Sequence, residues 1–241
     1  MPAPICDVCR NCQYITVQAA IEDANGPSTI KICPGTYTES LYILRNLTLI
    51  GSGQGDGEED TILRWPGQNG VLAINGNVDT VTLKDLHFTG ATDGAISSEA
   101  GLLTMIDCTV TGNNGPGGGI QSSGSLVMTG CTVTNNTKTA SSDMFGGGIS
   151  TFGDASLTNC TVSGNSARST GDPNQARGGG IYINQGTLAL SNTSVTGNFT
   201  NGAGGGVYLD DEANGIVLHN NSTISGNTPD DCASEQPDLC P

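Results

Sequence analysis

Asp107-Cys-Thr-Val-Thr-Gly-Asn113 returns as Gly130-Cys-Thr-Val-Thr-Asn-Asn136 and again as Asn159-Cys-Thr-Val-Ser-Gly-Asn165. Two looser copies follow, Asn192-Thr-Ser-Val-Thr-Gly-Asn198 and Asn221-Ser-Thr-Ile-Ser-Gly-Asn227. Two weaker ones precede, Asn46-Leu-Thr-Leu-Ile-Gly51 and Asp85-Leu-His-Phe-Thr-Gly90. The tightest copies begin 22 and 23 residues apart. Longer intervals add residues at one place, just after the phrase, at 141–145 and 168–177. A solenoid with its loops on one side has this signature.

A second phrase lies within each full coil: Gly117-Gly-Gly-Ile120, Gly146-Gly-Gly-Ile149, Gly178-Gly-Gly-Ile181 and Gly204-Gly-Gly-Val207. A third stretch alternates apolar residues: Leu103 and Met105, Leu126 and Met128, Leu188 and Leu190. Three short strands per coil follow, each with period-2 alternation. In the recurrent phrase the second and fourth residues point inward. The second-residue stack runs Leu47, Leu86, Cys108, Cys131, Cys160, Thr193 and Ser222. The fourth-residue stack runs Leu49, Phe88, Val110, Val133, Val162, Val195 and Ile224. The first residue marks a bend; Asn there tolerates left-handed backbone, and its amide reaches the next coil. The last coil carries one extra residue before Asn221.

These phrases resemble the pectin-lyase-like right-handed parallel β-helix superfamily, in the style of bacterial cell-surface β-helix repeats and polymorphic outer-membrane proteins. The opening Tyr14-Ile-Thr-Val-Gln-Ala-Ala-Ile-Glu-Asp23, then Thr29-Ile-Lys-Ile-Cys-Pro-Gly-Thr-Tyr37, is similar to such a protein's first coil. The resemblance implies an all-β chain, a single right-handed solenoid of about seven coils behind an N-terminal capping helix. Ile15, Ala19, Ala20 and Ile21 are the expected apolar side of that helix. The expected divisions are a cap at 1–28, the β-helix at 29–228 and a second cap at 229–241.

Composition narrows function. A net charge of −15 argues against nucleic acid, which needs clustered Lys and Arg. No run reaches the roughly 18 apolar residues of a membrane span. No leader is visible after Met1. The nine cysteines nonetheless point to an extracellular or cell-surface chain. Six are disulfide candidates placed at the two ends: Cys6, Cys9, Cys12 and Cys33, then Cys232 and Cys240. Cys12 with Cys33 would pin the capping helix, and Cys232 with Cys240 would close the other end. Cys6-x-x-Cys9-x-x-Cys12 also has the spacing of a zinc or iron–sulfur ligand set. Cys108, Cys131 and Cys160 read as small buried hydrophobes.

Enzymes of the superfamily place charged groups on the outward face of the Gly-Gly-Gly-Ile column. The expected outward residues here are Gly119, Gln121, Gly148, Ser150, Gly180, Tyr182, Gly206 and Tyr208, none of them charged. No catalytic pair of carboxylates is legible. Non-catalytic readings therefore lead: a scaffold, adhesin or fibre subunit without a cofactor, partnered by its own copies or by a surface polysaccharide. A carbohydrate-binding or carbohydrate-cleaving alternative rests on Tyr182 and Tyr208 as an aromatic platform beside Asp210, Asp211 and Glu212. These acids, and the loop of Asp56, Glu58, Glu59 and Asp60, leave room for calcium. A third reading is ice binding by outward rows. These rows are Thr109 and Thr111, Thr132 and Thr134, Thr161 and Ser163, Ser194 and Thr196, Thr223 and Ser225. Thr is also an ordinary strand residue. His87, on the outward face, and His219, near a bend, read as structural. Sequons at Asn46, Asn135, Asn159, Asn192, Asn198, Asn220 and Asn221 fall largely at bends, where burial is expected.

Overall fold

The computed structural model describes residues 6–141, 144–236 and 239–240. Every strand pair among them is parallel, and the strands stack into three long faces, the walls of a β-helix. The first face holds eight strands, from Gly35–Thr38 to Thr223–Ser225, including every CTVT copy. The second runs from Leu41–Ile43 through Ile120–Ser122 and Ile149–Thr151 to Cys232–Ser234. The third runs from Thr29–Lys31 through Leu102–Ile106 and Ser125–Thr129. Two long strands, Ile181–Ser191 and Val207–His219, cross from the second face to the third. Within the insertions expected as loops, Met144–Phe145 pairs with Ala176–Arg177, and just after the phrase Thr137–Ala140 pairs with Ser166–Ser169.

Inward stacking follows the predicted alternation. Phe88, Val110, Val133, Val162 and Val195 are fully buried. One copy was misplaced: Leu47–Ile50 pairs with Thr80–Lys84 on the third face, so Leu49 lies beside Leu83 rather than Phe88. The first face is begun by Gly35–Thr38 and Thr61–Arg64, which bring Tyr37 and Leu63 into line with Phe88. Leu47-x-Leu49 and Val81-x-Leu83 on the third face and Leu86-x-Phe88 on the first show the same apolar alternation, so a period of two does not separate the faces.

The bends take left-handed backbone, with φ near 50° at Asp85, Asp107, Asn159 and Asn192 and 65° at Gly130. In the last coil Asn220, not Asn221, takes this conformation, which is the extra residue. Asn159 and Asn192 are exposed, contrary to the expected burial, because a bend at a coil corner turns its side chain to solvent.

The buried amide ladder belongs to the other end of the phrase. Asn113, Asn136, Asn165 and Asn198 are at most 1% exposed, and Asn227 is 9% exposed. Each Nδ2 donates to the Oδ1 of the next, at 2.9–3.0 Å. Each also donates to an inward-stack carbonyl of the previous coil, as Asn165 does to Val133 O at 2.9 Å. Asp231 ends the ladder by accepting both the Asn227 backbone N–H and Nδ2, at 2.8 and 2.9 Å. The ladder explains the glycines. Gly119, Gly148, Gly180 and Gly206 do not face outward as expected. A Cβ on Gly148 would lie 2.8 Å from both Asn165 Nδ2 and Gly180 O.

The second-residue column has a polar duty as well. Its side chains accept backbone N–H groups from the preceding coil: Cys108 to Cys131 Sγ, Cys131 to Cys160 Sγ, Cys160 to Thr193 Oγ1 and Thr193 to Ser222 Oγ. Sulfur and hydroxyl oxygen substitute for each other there because both are small acceptors. The hydrogen bond with Cys108, together with burial, pushes the Cys131 thiol up to about 12.

The capping helix is Val17–Glu22, with Thr16 accepting Ala19 N–H at its start. Val17, Ala20 and Ile21 are its buried side, an i, i+3, i+4 set. Ile15 precedes the helix and is 72% exposed, and Ala19 is exposed too, correcting the expected face. Gln18 seals the edge of the second face, its amide bonding both Tyr42 N–H and Tyr42 O.

The bridges are Cys6–Cys33, Cys9–Cys12 and Cys232–Cys240. Cys232–Cys240 is as expected; Cys12–Cys33 is not. Val8 forms bridges to both Ile32 and Tyr14, which folds the segment back and sets Cys6 beside Cys33, Cα atoms 5.4 Å apart. Cys9 and Cys12 close their own turn at 4.9 Å. Both spans suit a disulfide.

Candidate functional site

The outward side of the second face carries Ala73, Ser97, Gln121, Ser150, Tyr182 and Tyr208 in successive coils. Two cavities open along it, of about 440 and 500 Å³, sharing Ser97, Pro116 and Gln121 in their walls. Together they form a groove parallel to the solenoid axis. It spans the four coils of Leu72–Ile74, Ile96–Ser98, Ile120–Ser122 and Ile149–Thr151, about 14 Å at the spacing of neighbouring strands. The lining mixes hydroxyl and amide side chains, among them Asn69, Ser97, Gln121 and Ser122, with apolar ones, including the exposed ring of Phe152 on one side. Such a mixture of apolar surface and convergent polar groups is that of a ligand cleft.

One cation borders the groove. Lys138 projects from Thr137–Ala140 and is 5% exposed, with Nζ donating to Phe145 O at 2.9 Å. Burial lowers its ammonium to about 8. Sequence reasoning missed it because its strand lies between the recurrent phrase and the insertion at 141–145, a stretch assigned to no element. The signal was the Thr-Lys-Thr alternation at 137–139. Asp93 and Glu99 lie at the rims of the two cavities.

The expected aromatic platform is closed. Tyr182 is 1% and Tyr208 5% exposed. Phe145 stacks on Tyr182 with centroids 4.4 Å apart, Tyr208 follows at 6.0 Å, and the Arg177 guanidinium lies over Tyr208 at 5.0 Å. The Tyr182 hydroxyl donates to Asp210, and the Tyr208 hydroxyl to Glu235 at 2.6 Å. Arg177 pairs with Glu235 at 3.0 Å and with Asp210 at 3.9 Å. Burial, then these carboxylates, raises both phenols above their ordinary range. The stack ends the groove on this side. It covers the tyrosines because Met144–Phe145 and Ala176–Arg177 form a small ladder above them.

Asp210, Asp211 and Glu212 do not form a turn; they continue the strand Val207–His219. Asp210 is held by Tyr182, Glu212 accepts from Gln185, and Asp211 is exposed. In the other acidic loop Asp60 turns inward and accepts Gly57 N–H at 3.0 Å, while Asp56, Glu58 and Glu59 are exposed. That loop also covers part of the threonine face. Gly55 O meets His87 Nδ1 at 2.6 Å, and Thr109 donates to Gln54 at 3.3 Å. His87 points outward as expected but is only 6% exposed beneath the loop. The Thr109/Thr111, Thr132/Thr134, Thr161/Ser163, Ser194/Thr196 and Thr223/Ser225 rows lie in register on one face. Thr48 lies on the third face, outside these rows.

A solenoid of parallel strands with a lateral groove and an inward asparagine ladder defines the class to which this chain belongs. It is a member of the right-handed β-helix region family, whose model matches residues 47–233. Searches among curated proteins and among solved structures find no match. None of the chain's helices is long and apolar enough to cross a membrane, among the described residues.

Proposed function

We propose that this chain is a non-catalytic extracellular or cell-surface β-helix of the adhesin kind, which holds a glycan strand in the groove of its second face. The groove carries the reading. Its floor is Ala73, Ser97, Gln121 and Ser150, suited to hydrogen-bonding hydroxyls, and its two rim carboxylates, Asp93 and Glu99, border different cavities. The carboxylates beside it at the closed end, Asp210 and Glu235, are engaged by tyrosine hydroxyls and Arg177. Three disulfides favour an oxidising compartment. The Gln18 seal on the Tyr42 edge favours separate chains over end-to-end fibres.

The test is binding to a panel of neutral and acidic polysaccharides by wild type, Ser97→Trp and Thr132→Leu. Ser97 is exposed on the groove floor, so Trp fills the cleft without entering the core. Loss of binding in Ser97→Trp alone is the expected result. Equal binding by all three would reject the groove. A second reading, ice binding, is favoured by the in-register threonine rows. Thermal hysteresis abolished by Thr132→Leu but kept by Ser97→Trp would replace the first reading with it.

A further inference from the structure

The N-terminal cap gathers four of the nine cysteines in one place. The Sγ atoms of Cys9, Cys12 and Cys33 lie within 4.8 Å of one another, and Cys6 is bonded to Cys33. In a tetrahedral zinc–thiolate site the metal–sulfur distance is about 2.3 Å, which separates the sulfurs by roughly 3.8 Å. The Cys9–Cys12 and Cys6–Cys33 sulfurs are closer than that because each pair is bonded, and reduction would let them part; the Cys33 sulfur is no more than about an ångström beyond that spacing from those of Cys9 and Cys12.

Backbone contacts hold the cluster together independently of the bridges. Cys12 N–H donates to Cys9 O at 3.2 Å, closing the Cys9-Arg10-Asn11-Cys12 turn. Cys33 N–H donates to Val8 O at 3.1 Å, and Val8 N–H to Lys31 O at 3.1 Å, tying that turn to the first coil. Cys9 N–H donates to Tyr14 O and Tyr14 N–H to Asp7 O, both at 3.1 Å. A tight Cys-x-x-Cys turn facing a cysteine from a neighbouring strand is the arrangement of a structural four-thiolate zinc site. The three core cysteines differ: they stack one per coil, each accepting or donating a hydrogen bond along the column.

We propose that Cys6, Cys9, Cys12 and Cys33 form a redox-gated zinc site. Under oxidising conditions the four sulfurs are two disulfides. Once both are reduced, the four thiolates coordinate one Zn²⁺ and keep the cap closed over the first coil. With a phosphine as reductant, each bridge is cleaved with one water. The water oxygen leaves as phosphine oxide, and its two hydrogens become the two thiol protons. Four thiols then release four protons as zinc binds. In reverse, two equivalents of hydrogen peroxide take four electrons, restore both bridges, expel Zn²⁺ and leave water. This proposal is independent of the groove.

The full chain, reduced with a phosphine and desalted without oxygen, is titrated with Co²⁺ and Zn²⁺. The readouts are the visible spectrum of cobalt and competition with a chromophoric chelator; circular dichroism follows the fold. One metal per chain is expected, with the thiolate charge-transfer and tetrahedral bands of cobalt, and none for the oxidised chain. Cys12→Ser should weaken binding by on the order of 10-fold or more, since affinity depends on the number of thiolates. Cys108→Ser and Cys232→Ser should leave it unchanged. A folded reduced chain without stoichiometric metal, metal binding indifferent to Cys12→Ser, or loss of the β-helix spectrum on reduction would each overturn the site.

Discussion

Asn165→Ala tests the internal ladder. The side chain is fully buried and makes four hydrogen bonds. Nδ2 donates to Val133 O at 2.9 Å and Asn198 Oδ1 at 3.0 Å. Oδ1 accepts the backbone N–H and Nδ2 of Asn136, both at 3.0 Å. Alanine leaves the Asn136 N–H and one amide hydrogen of Asn136 without partners, while the Val133 carbonyl stays in the ladder with the paired strand. The other two groups keep a bond: Asn136 Nδ2 still donates to Val110 O, and Asn198 Oδ1 still accepts Asn165 N–H. At roughly 1–3 kcal/mol for each orphaned buried group, the loss is about 2–6 kcal/mol. Urea unfolding reads it, with Asn159→Gly as control. Asn159 has φ 54° and an exposed side chain, so glycine there is expected to cost little. A loss below about 1 kcal/mol for Asn165→Ala, or equal losses for both variants, would refute the ladder as a principal support.

Three further outcomes follow from the same geometry. Gly148→Ala should destabilise the chain by about 2 kcal/mol or more, since its Cβ would meet Asn165 Nδ2 and Gly180 O at 2.8 Å; thermal unfolding measures this. Cys108, Cys131 and Cys160 should resist alkylation at pH 8 in the folded chain and react fully in urea, as intact mass reports. Burial hides all three, and the Cys131 thiol stands at about 12. Lys138 makes stability depend on pH. Its folded value is lowered from 10.5 to about 8, so across that window the unfolded chain holds a proton that the folded chain has shed. Stability therefore rises with pH, by up to about 3 kcal/mol, at 1.4 kcal/mol per unit. Above pH 9 the raised thiols of Cys131 and Cys160, and above pH 10 the raised phenols of Tyr182 and Tyr208, act in the opposite direction, so the slope is read between pH 8 and 9. Lys138→Met should flatten that slope in denaturation curves.

The fold was legible because each coil repeats one phrase, and repetition reveals periodicity even where single strands are three residues long. The inward stacks followed directly from alternation. The first coils were harder: Leu47 and Leu49 satisfy the pattern of two faces, and only pairing with Val81 and Leu83 decides between them. The ladder was present in the sequence as the final Asn of each phrase. Its burial was not, because an Asn is favoured both at an exposed bend and in a buried stack. The tyrosine platform failed for a related reason. Alternation gives the direction of Tyr182 and Tyr208, but not the ladder at Phe145 and Arg177 that covers them. The groove itself was illegible, since its walls come from loops between phrases that share no repeat. Cysteine pairing likewise depended on the fold-back of Val8 onto Ile32, a contact without a sequence pattern.

The central claim is that the groove binds a glycan without cleaving it. Immobilised protein is loaded with a polysaccharide of defined length, washed, and the bound chains are eluted and sized, with reducing ends counted. The account predicts retained chains at their starting length and no new reducing ends. Shortened chains, or no retention of any glycan tested, would contradict it.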